Sequence, residues 1–357
     1  MTGFLPSPKM RIISAMKNHI ILLALSSLLT ACVSGVQFDP TKAHHGDGEF
    51  NSVKRGSFFD HYRMRQQEPD PPIPDPVEIA TIVTTPDLAL INSAADEPRV
   101  TWIGHATALV QYKDINYLTD PHLTQYPFRF NFWVEPRYTQ PALDFEQMPE
   151  IDFVVISHNH YDSLDHRTVD RFGDSVLWYV PLGLKAWFVD RGISAARVVE
   201  LDWWQSHRFN EQVAITFTPS QHWSRRGLWD TNESLWGGWA IDIEGFNSWF
   251  AGDTGYHETY FSDIGRRLGP FRLAMIPIGA YAPRYFMASV HIDPARAVDI
   301  HLAVGAQQTL PVHWGTFQLT IEPILEPAQL LIDEMNKRGL PAEQFRPVKI
   351  GETLVLH

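Results

Sequence analysis

Apolar, β-branched and aromatic residues fall along this chain in short runs separated by turn residues. From Val100 onward the runs Thr107–Tyr112, Ile115–Thr119, Phe153–Ser157, Val176–Val180, Val213–Thr218, Trp236–Ile243, Ser248–Ala251, Leu273–Pro277 and Thr309–His313 have the length and composition of strands. Phe153–Ser157 is almost continuously apolar, which predicts a strand buried on both faces. Three segments carry helical spacing instead. Asp165 caps one, with apolar residues at Val169 and Phe172; Asp293-Pro294 opens a second, with Ala297, Ile300 and Val304 on one face. Glu326-Pro327 opens a third, through Leu330, Leu331 and Met335. Strands with helices set between some of them predict sheets flanked by helices, an α/β or α+β layout.

The pattern changes before Val100. Arg11 and Lys17 precede the apolar run Ile20–Leu29, followed by Thr30-Ala31-Cys32. A positive segment, a short apolar run and small residues before a cut site make a secretory signal. The run is shorter than the ~20 apolar residues of a membrane-spanning helix. Leu29-Thr30-Ala31-Cys32 resembles the bacterial lipobox, whose cysteine becomes the lipidated first residue of the mature protein. Val33, rather than Asp, after that cysteine points to the outer membrane, and Met10 and Met16 are alternative starts. From Val33 to about Val77 the chain is polar and turn-rich, ending in Pro69-Asp70-Pro71-Pro72-Ile73-Pro74-Asp75-Pro76. Proline at that density favours extended backbone. The expected division is a lipoprotein signal at 1–32, a tether with an arm lying on the domain at 33–77, and one folded domain at 78–357.

Composition narrows the chemistry. Of 357 residues 44% are hydrophobic, with 12 Trp and 21 Phe, enough for a large core and contrary to disorder. A formal charge of −12, with no basic run, gives no electrostatic drive toward nucleic acid. The single cysteine excludes an internal disulfide and a thiolate metal cluster, so a metal site must come from His and carboxylates.

Such residues recur where apolar strands end. Phe153–Ser157 delivers His158-Asn159-His160-Tyr161-Asp162, and alternation along an extended segment would send His158, His160 and Asp162 to one side. His222 follows a second strand in Thr218-Pro219-Ser220-Gln221-His222-Trp223, Asp253 a third in Ala251-Gly252-Asp253-Thr254-Gly255, and His313 a fourth in Leu310-Pro311-Val312-His313. Imidazole and carboxylate are the ligands zinc takes without thiolate. Gly252 and Gly255 are expected to let backbone approach a metal closely. One such residue is more often a cap or a core group; four strand exits in order are not.

H-x-H-x-D, a later His, G-D-T-G and a final His resemble the metallo-β-lactamase superfamily. More narrowly, the chain resembles the N-acyl-phosphatidylethanolamine-hydrolysing phospholipase D family. The stretches are Ile103-Gly104-His105-Ala106-Thr107, Ser157-His158-Asn159-His160-Tyr161-Asp162, Val180-Pro181-Leu182-Gly183, Glu200-Leu201-Asp202-Trp203-Trp204, Thr218–Trp223, Phe250–Tyr256, Ile276-Pro277-Ile278-Gly279-Ala280-Tyr281 and His313-Trp314-Gly315-Thr316-Phe317. The resemblance implies an αββα sandwich of two mixed sheets flanked by helices, with a metal site along one edge. It implies a first zinc on His158, His160 and His222, and a second on Asp162 and His313, with Asp253 bridging. It implies hydrolysis of an N-acylated phosphatidylethanolamine to phosphatidate and N-acylethanolamine by zinc-activated water. Asp162 would orient the water and accept its proton. His291, in Val290-His291-Ile292, would donate to the leaving oxygen or bind phosphate, or else organise the following helix. Tyr161 is the candidate substrate contact, and His105 is expected in support of the ligands. Trp133, Trp203, Trp204 and Trp223 are candidates for an apolar entrance, next to the plainer reading that they are core. A lipid anchor at Cys32 would hold the site near a membrane.

One position departs from the family. The motif commonly continues H-x-H-x-D-H, its last His binding the second metal, and here that place is Ser163. A serine hydroxyl is a poorer donor than imidazole, so the expectation is one or two zinc ions, the second held more weakly. His166, four residues after Asp162, reaches the same face if a helix begins there. The alternatives are a same-fold metal hydrolase acting on another phosphodiester, a cyclic nucleotide or a lactone, and an envelope lipoprotein that has lost activity.

Overall fold

The computed structural model describes residues 35–53, 60, 63, 66–69, 71–128 and 135–357. The signal segment, Cys32 and Trp133 lie outside them. Among the described residues thirteen strands form two mixed sheets. The first contains β1 (Ala95–Gly104), β2 (Thr107–Lys113), β3 (Ile115–Thr119), β4 (Phe153–Val155), β5 (Leu177–Pro181) and β6 (Val198–Leu201). The second contains β7 (Ser206–Arg208), β8 (Val213–Thr218), β9 (Gly238–Ile243), β10 (Phe246–Phe250), β11 (Leu273–Pro277) and β12 (Gln308–Val312). The last strand, β13 (Thr353–Val355), returns to the first sheet, whose order is β13-β1-β2-β3-β4-β5-β6; the second runs β12-β11-β10-β9-β8-β7. The hairpin strands β1, β2 and β3 are antiparallel, whereas β3 to β6 are parallel, with helices between β4 and β5 and between β5 and β6. The expected sandwich of two mixed sheets flanked by helices is the fold observed.

Period-two alternation explains why the sheets stack. Val100, Trp102, Val110, Tyr117, Phe153 and Tyr179 face the inner core with Phe217, Trp239 and Trp249 of the second sheet. Their neighbours Leu109, Leu118, Val154 and Trp178 face outward into a second apolar cluster. Helices α3 (His166–Phe172) and α4 (Lys185–Asp190), which follow α1 (Pro76–Thr81) and α2 (Leu88–Ile91), cover that face with Val169, Phe172 and Phe188. The other outer face lies under α5 (Tyr260–Leu268), α7 (Pro294–Ala303) and α8 (Glu326–Arg338), through Ile264, Ala297, Ile300, Leu331 and Met335. A one-turn helix, α6 (Arg284–Met287), precedes α7. The expected caps are in place: Asp165 accepts from Arg167 N, and Asp293 accepts from Arg296 N with Pro294 opening the helix.

Several boundaries differ from the sequence reading. Phe153–Ser157 stops pairing at Val155, and Trp236–Ile243 begins at Gly238. Pro76, placed with the extended tether, is the first residue of α1, where its missing N–H costs nothing. Trp203 belongs to the core and donates to Trp236 O, and Trp204 is half-buried beneath the Arg267 guanidinium.

Residues 35–53 lie against the domain. Phe50 is fully buried, and Lys42, His44 and His45 converge on the buried Asp202 carboxylate at 2.5, 2.7 and 3.1 Å. His44 also stacks on Trp203 at 4.3 Å. Burial would raise the Asp202 pKa, but hydrogen bonds from His44 and Lys42 hold it far below the usual range. A depressed carboxylate stabilises the fold above its unfolded pKa of about 3.9 and loses that contribution as pH falls below it. Asp202→Asn is therefore expected to lower stability at pH 7 by about 1–3 kcal/mol. The gap to the unmodified protein should close below about pH 4, as measured by urea unfolding across pH.

Candidate metal centre

Five connections bring chemistry to one edge of the sandwich. Residues after β4 supply His158, His160 and Asp162, and those after β8 supply His222. Asp253 follows β10, His313 follows β12, and His105 sits in the turn between β1 and β2. The motif after β4 is not extended throughout. Ser163 N and Leu164 N both donate to His160 O, turning the chain. The turn corrects the expectation of one common side: His158 and His160 join His222, whereas Asp162 joins His105 and His313.

The first group is a triangle of imidazole nitrogens. His160 Nδ1 lies 2.8 Å from His158 Nε2 and 3.2 Å from His222 Nε2. Their outer partners settle two tautomers. Ser157 N and Oγ both donate to Asp120, so the 2.8 Å contact of Ser157 Oγ with His158 Nδ1 requires hydrogen on that nitrogen. His222 Nδ1 donates to Val290 O. Both Nε2 lone pairs therefore point at the third imidazole, within buried surroundings where charge is costly. Burial, then His160 and His222, pushes His158 well below its usual pKa, and burial brings His222 to about 4. Neutral imidazoles aiming lone pairs at one point fit a zinc ion.

The second group is carboxylate-rich. His313 Nε2 stands 3.3 Å from Asp162 Oδ2 and 3.2 Å from Asp253 Oδ2, and His105 Nε2 is 3.1 Å from Asp162 Oδ2. Asp253 Oδ2 is also 3.7 Å from His158 and 3.9 Å from His222, between the two groups. Burial opposes ionisation of both carboxylates, yet His313 holds Asp253 and, with His105, Asp162 far below the carboxylate range. Burial likewise opposes charge on His313, but Asp253 and Asp162 raise it to about 10. Two anionic carboxylates that hold a proton on an imidazole are the environment that a divalent cation satisfies in its place.

The other expected residues are placed as follows. His291 is half-buried, its ring 5.1 Å from His222 and 5.6 Å from His313, and desolvation brings it to about 3. Tyr161 donates its hydroxyl to Arg226 O, and its ring lies 4.1 Å under the Arg226 guanidinium. Trp223 packs 4.4 Å from the His160 ring. His166 opens α3 and lines a separate small cavity with Tyr126, Tyr161 and Arg167; it joins no metal-forming group among the described residues. Gly252 and Gly255 do not make room for a metal. A side chain at Gly252 would meet Ser157 Cβ at 2.6 Å, and one at Gly255 would meet Ser289 O at 2.4 Å.

Asp120, buried and receiving both Ser157 bonds, went unnoticed in the sequence. It exits the apolar run Ile115–Thr119 just as the candidate ligands exit theirs. Ser157→Ala breaks the Asp120–Ser157–His158 link without touching a candidate ligand. Zinc affinity should fall about 10–100-fold, measured by competition with a chelator, while the circular dichroism spectrum is retained.

Comparison with known proteins follows this geometry. The family described as the β-lactamase superfamily domain matches residues 115–314. N-acyl-phosphatidylethanolamine-hydrolyzing phospholipase D 1 of Caenorhabditis elegans is 42% identical over 263 residues, which span 71% of this chain and 74% of the worm protein. The mitochondrial enzyme of the same description from Saccharomyces cerevisiae is 36% identical over 238 residues, covering 65% of this chain and 50% of the yeast protein. A possible metal-dependent hydrolase from Veillonella parvula superposes with a TM-score of 0.59 at 17% identity, covering 73% of this chain and 100% of that one, a likeness of fold.

Proposed function

Because the chain belongs to the metallo-β-lactamase superfamily, and within it to the N-acyl-phosphatidylethanolamine-hydrolysing phospholipase D family, we propose that this hydrolase cleaves N-acyl-phosphatidylethanolamine with the help of zinc. The observation that carries the reading is the pair of adjoining groups, three imidazoles beside two anionic carboxylates, one of which, Asp253, lies between them. His158, His160 and His222 would hold a first ion, and Asp162 and His313 a second, with Asp253 between them. Zinc, when bound, lowers the pKa of a coordinated water to about 7 and offsets charge on a phosphoryl group.

Water adds to phosphorus, the bond from phosphorus to the ethanolamine oxygen breaks, and phosphatidate and N-acylethanolamine result. Asp162, anionic and beside both groups, orients the water and accepts its proton. His291 lies against His222 and His313, where it hydrogen-bonds a phosphoryl oxygen or serves the leaving oxygen. The half-buried Tyr161, between His160 and Asp162 in the chain, offers its ring to substrate. A signal over 1–32 with lipid on Cys32 would place this site at the bacterial outer membrane, beside a phospholipid substrate.

The test is to load the purified full chain with zinc in detergent and supply N-acyl-phosphatidylethanolamine, reading products by mass spectrometry. Phosphatidate and N-acylethanolamine should appear, and Asp253→Ala should reduce both by more than about 100-fold, beyond the range of outer partners of a metal site. Folded, zinc-loaded protein that forms neither product would move the substrate to another phosphodiester or a lactone.

A further inference from the structure

We propose that His105 is itself a ligand of the second metal position, taking the place that Ser163 leaves vacant in this chain. The inference rests on the metal-centre reading above and concerns which residues complete it. Three side chains are near enough in sequence or space to be considered. Ser163 is fully buried, and its hydroxyl, a poor metal donor, has no hydrogen-bond partner among the described residues. His166 opens α3 and faces the cavity on the other side of Tyr161. Of the three, His105 presents a nitrogen to Asp162, with Nε2 3.1 Å from Asp162 Oδ2 and the ring centroid 4.2 Å from that of His313, whereas His291 groups with His222 and Asp253.

Its backbone is arranged to hold it there. His105 N donates to Thr316 Oγ1, and its carbonyl accepts from Trp102 Nε1 and from His313 N. Two strand exits from different sheets are thus joined through the two histidines. His105 has φ of 52° and His313 has φ of 63°, a region that non-glycine residues occupy only where surroundings enforce it. The ring is 1% exposed, and Nδ1 has no hydrogen-bond partner among the described residues, so its polar engagement is directed at the metal group. With His105 the second position has Asp162, Asp253, His313 and one further imidazole, the same donor types the family motif would provide through a histidine at 163. The new nitrogen arrives from the β1–β2 turn instead of from the metal loop.

Two measurements on the full chain in detergent decide this. First, the unmodified protein labelled with 15N-histidine is loaded with 113Cd, and imidazole nitrogens coupled to cadmium are counted. Coupling at His105, His158, His160, His222 and His313 is expected; coupling at the latter four alone assigns His105 a supporting role and overturns the inference. Cadmium bound at none of them removes the metal-centre reading with it. Second, zinc is counted by mass spectrometry of the inorganic content. The unmodified chain should hold two equivalents, His105→Ala one, and the double variant His105→Ala/Ser163→His two again. Two equivalents in His105→Ala, or one in the unmodified chain, overturns the inference. Because the cadmium count uses the unmodified chain, a folding defect in either variant leaves the decision intact.

Discussion

Asp253 Oδ2 stands 3.2 Å from one imidazole nitrogen and within 3.9 Å of two others, in a residue 5% exposed. A carboxylate withdrawn so far from water stays ionised only where an opposite charge stands beside it, and His313 supplies one. The surrounding architecture meets that demand. Strands of both sheets end at one edge, and two of the exits contribute an imidazole whose outer nitrogen is already engaged: Ser157 Oγ on His158, Val290 O on His222. The engagement fixes which nitrogen faces inward, so the fold determines the donor atoms as well as the donor residues.

Much of this was legible in the sequence because burial leaves a pattern. The apolar runs around Val154, Phe217, Trp249 and Leu310 lie in the inner or outer core, and the acids at 165 and 293 cap helices because an acidic residue before a helix accepts its free N–H groups. Strand β1 was invisible at its start: Ala95-Asp96-Glu97-Pro98-Arg99 carries charge and proline, and Arg99 is buried only because Gln111, Ser93 and Ile91 receive its guanidinium. The three-residue edge strand β7 has a polar sequence, so alternation says little there. Helix α5 buries only Phe261 and Ile264, too few apolar positions to mark it.

The site was legible as residues but not as an arrangement. A strand-exit rule finds His158, His222, Asp253 and His313, but no local rule shows that the chain turns at His160 and divides the motif between two groups. Nor does sequence reveal Asp120, whose role depends on the serine of another strand exit. His105 is separated from Asp162 by 57 positions, and only sheet pairing and the contact with His313 N bring them together.

The clasp at Asp202 sets a working radius. Val36 and Phe38 pack against the core just upstream of Lys42, His44 and His45, so the docked arm begins at Val36. If Cys32 carries the lipid proposed above, the intervening backbone spans at most about 14 Å even when fully stretched. A catalyst on so short a leash would graze the bilayer rather than sample the bulk, meeting each next lipid by lateral diffusion within the sheet of its own anchors. Releasing the clasp would lengthen that leash by the length of the arm and turn a surface-skimming enzyme into a roaming one.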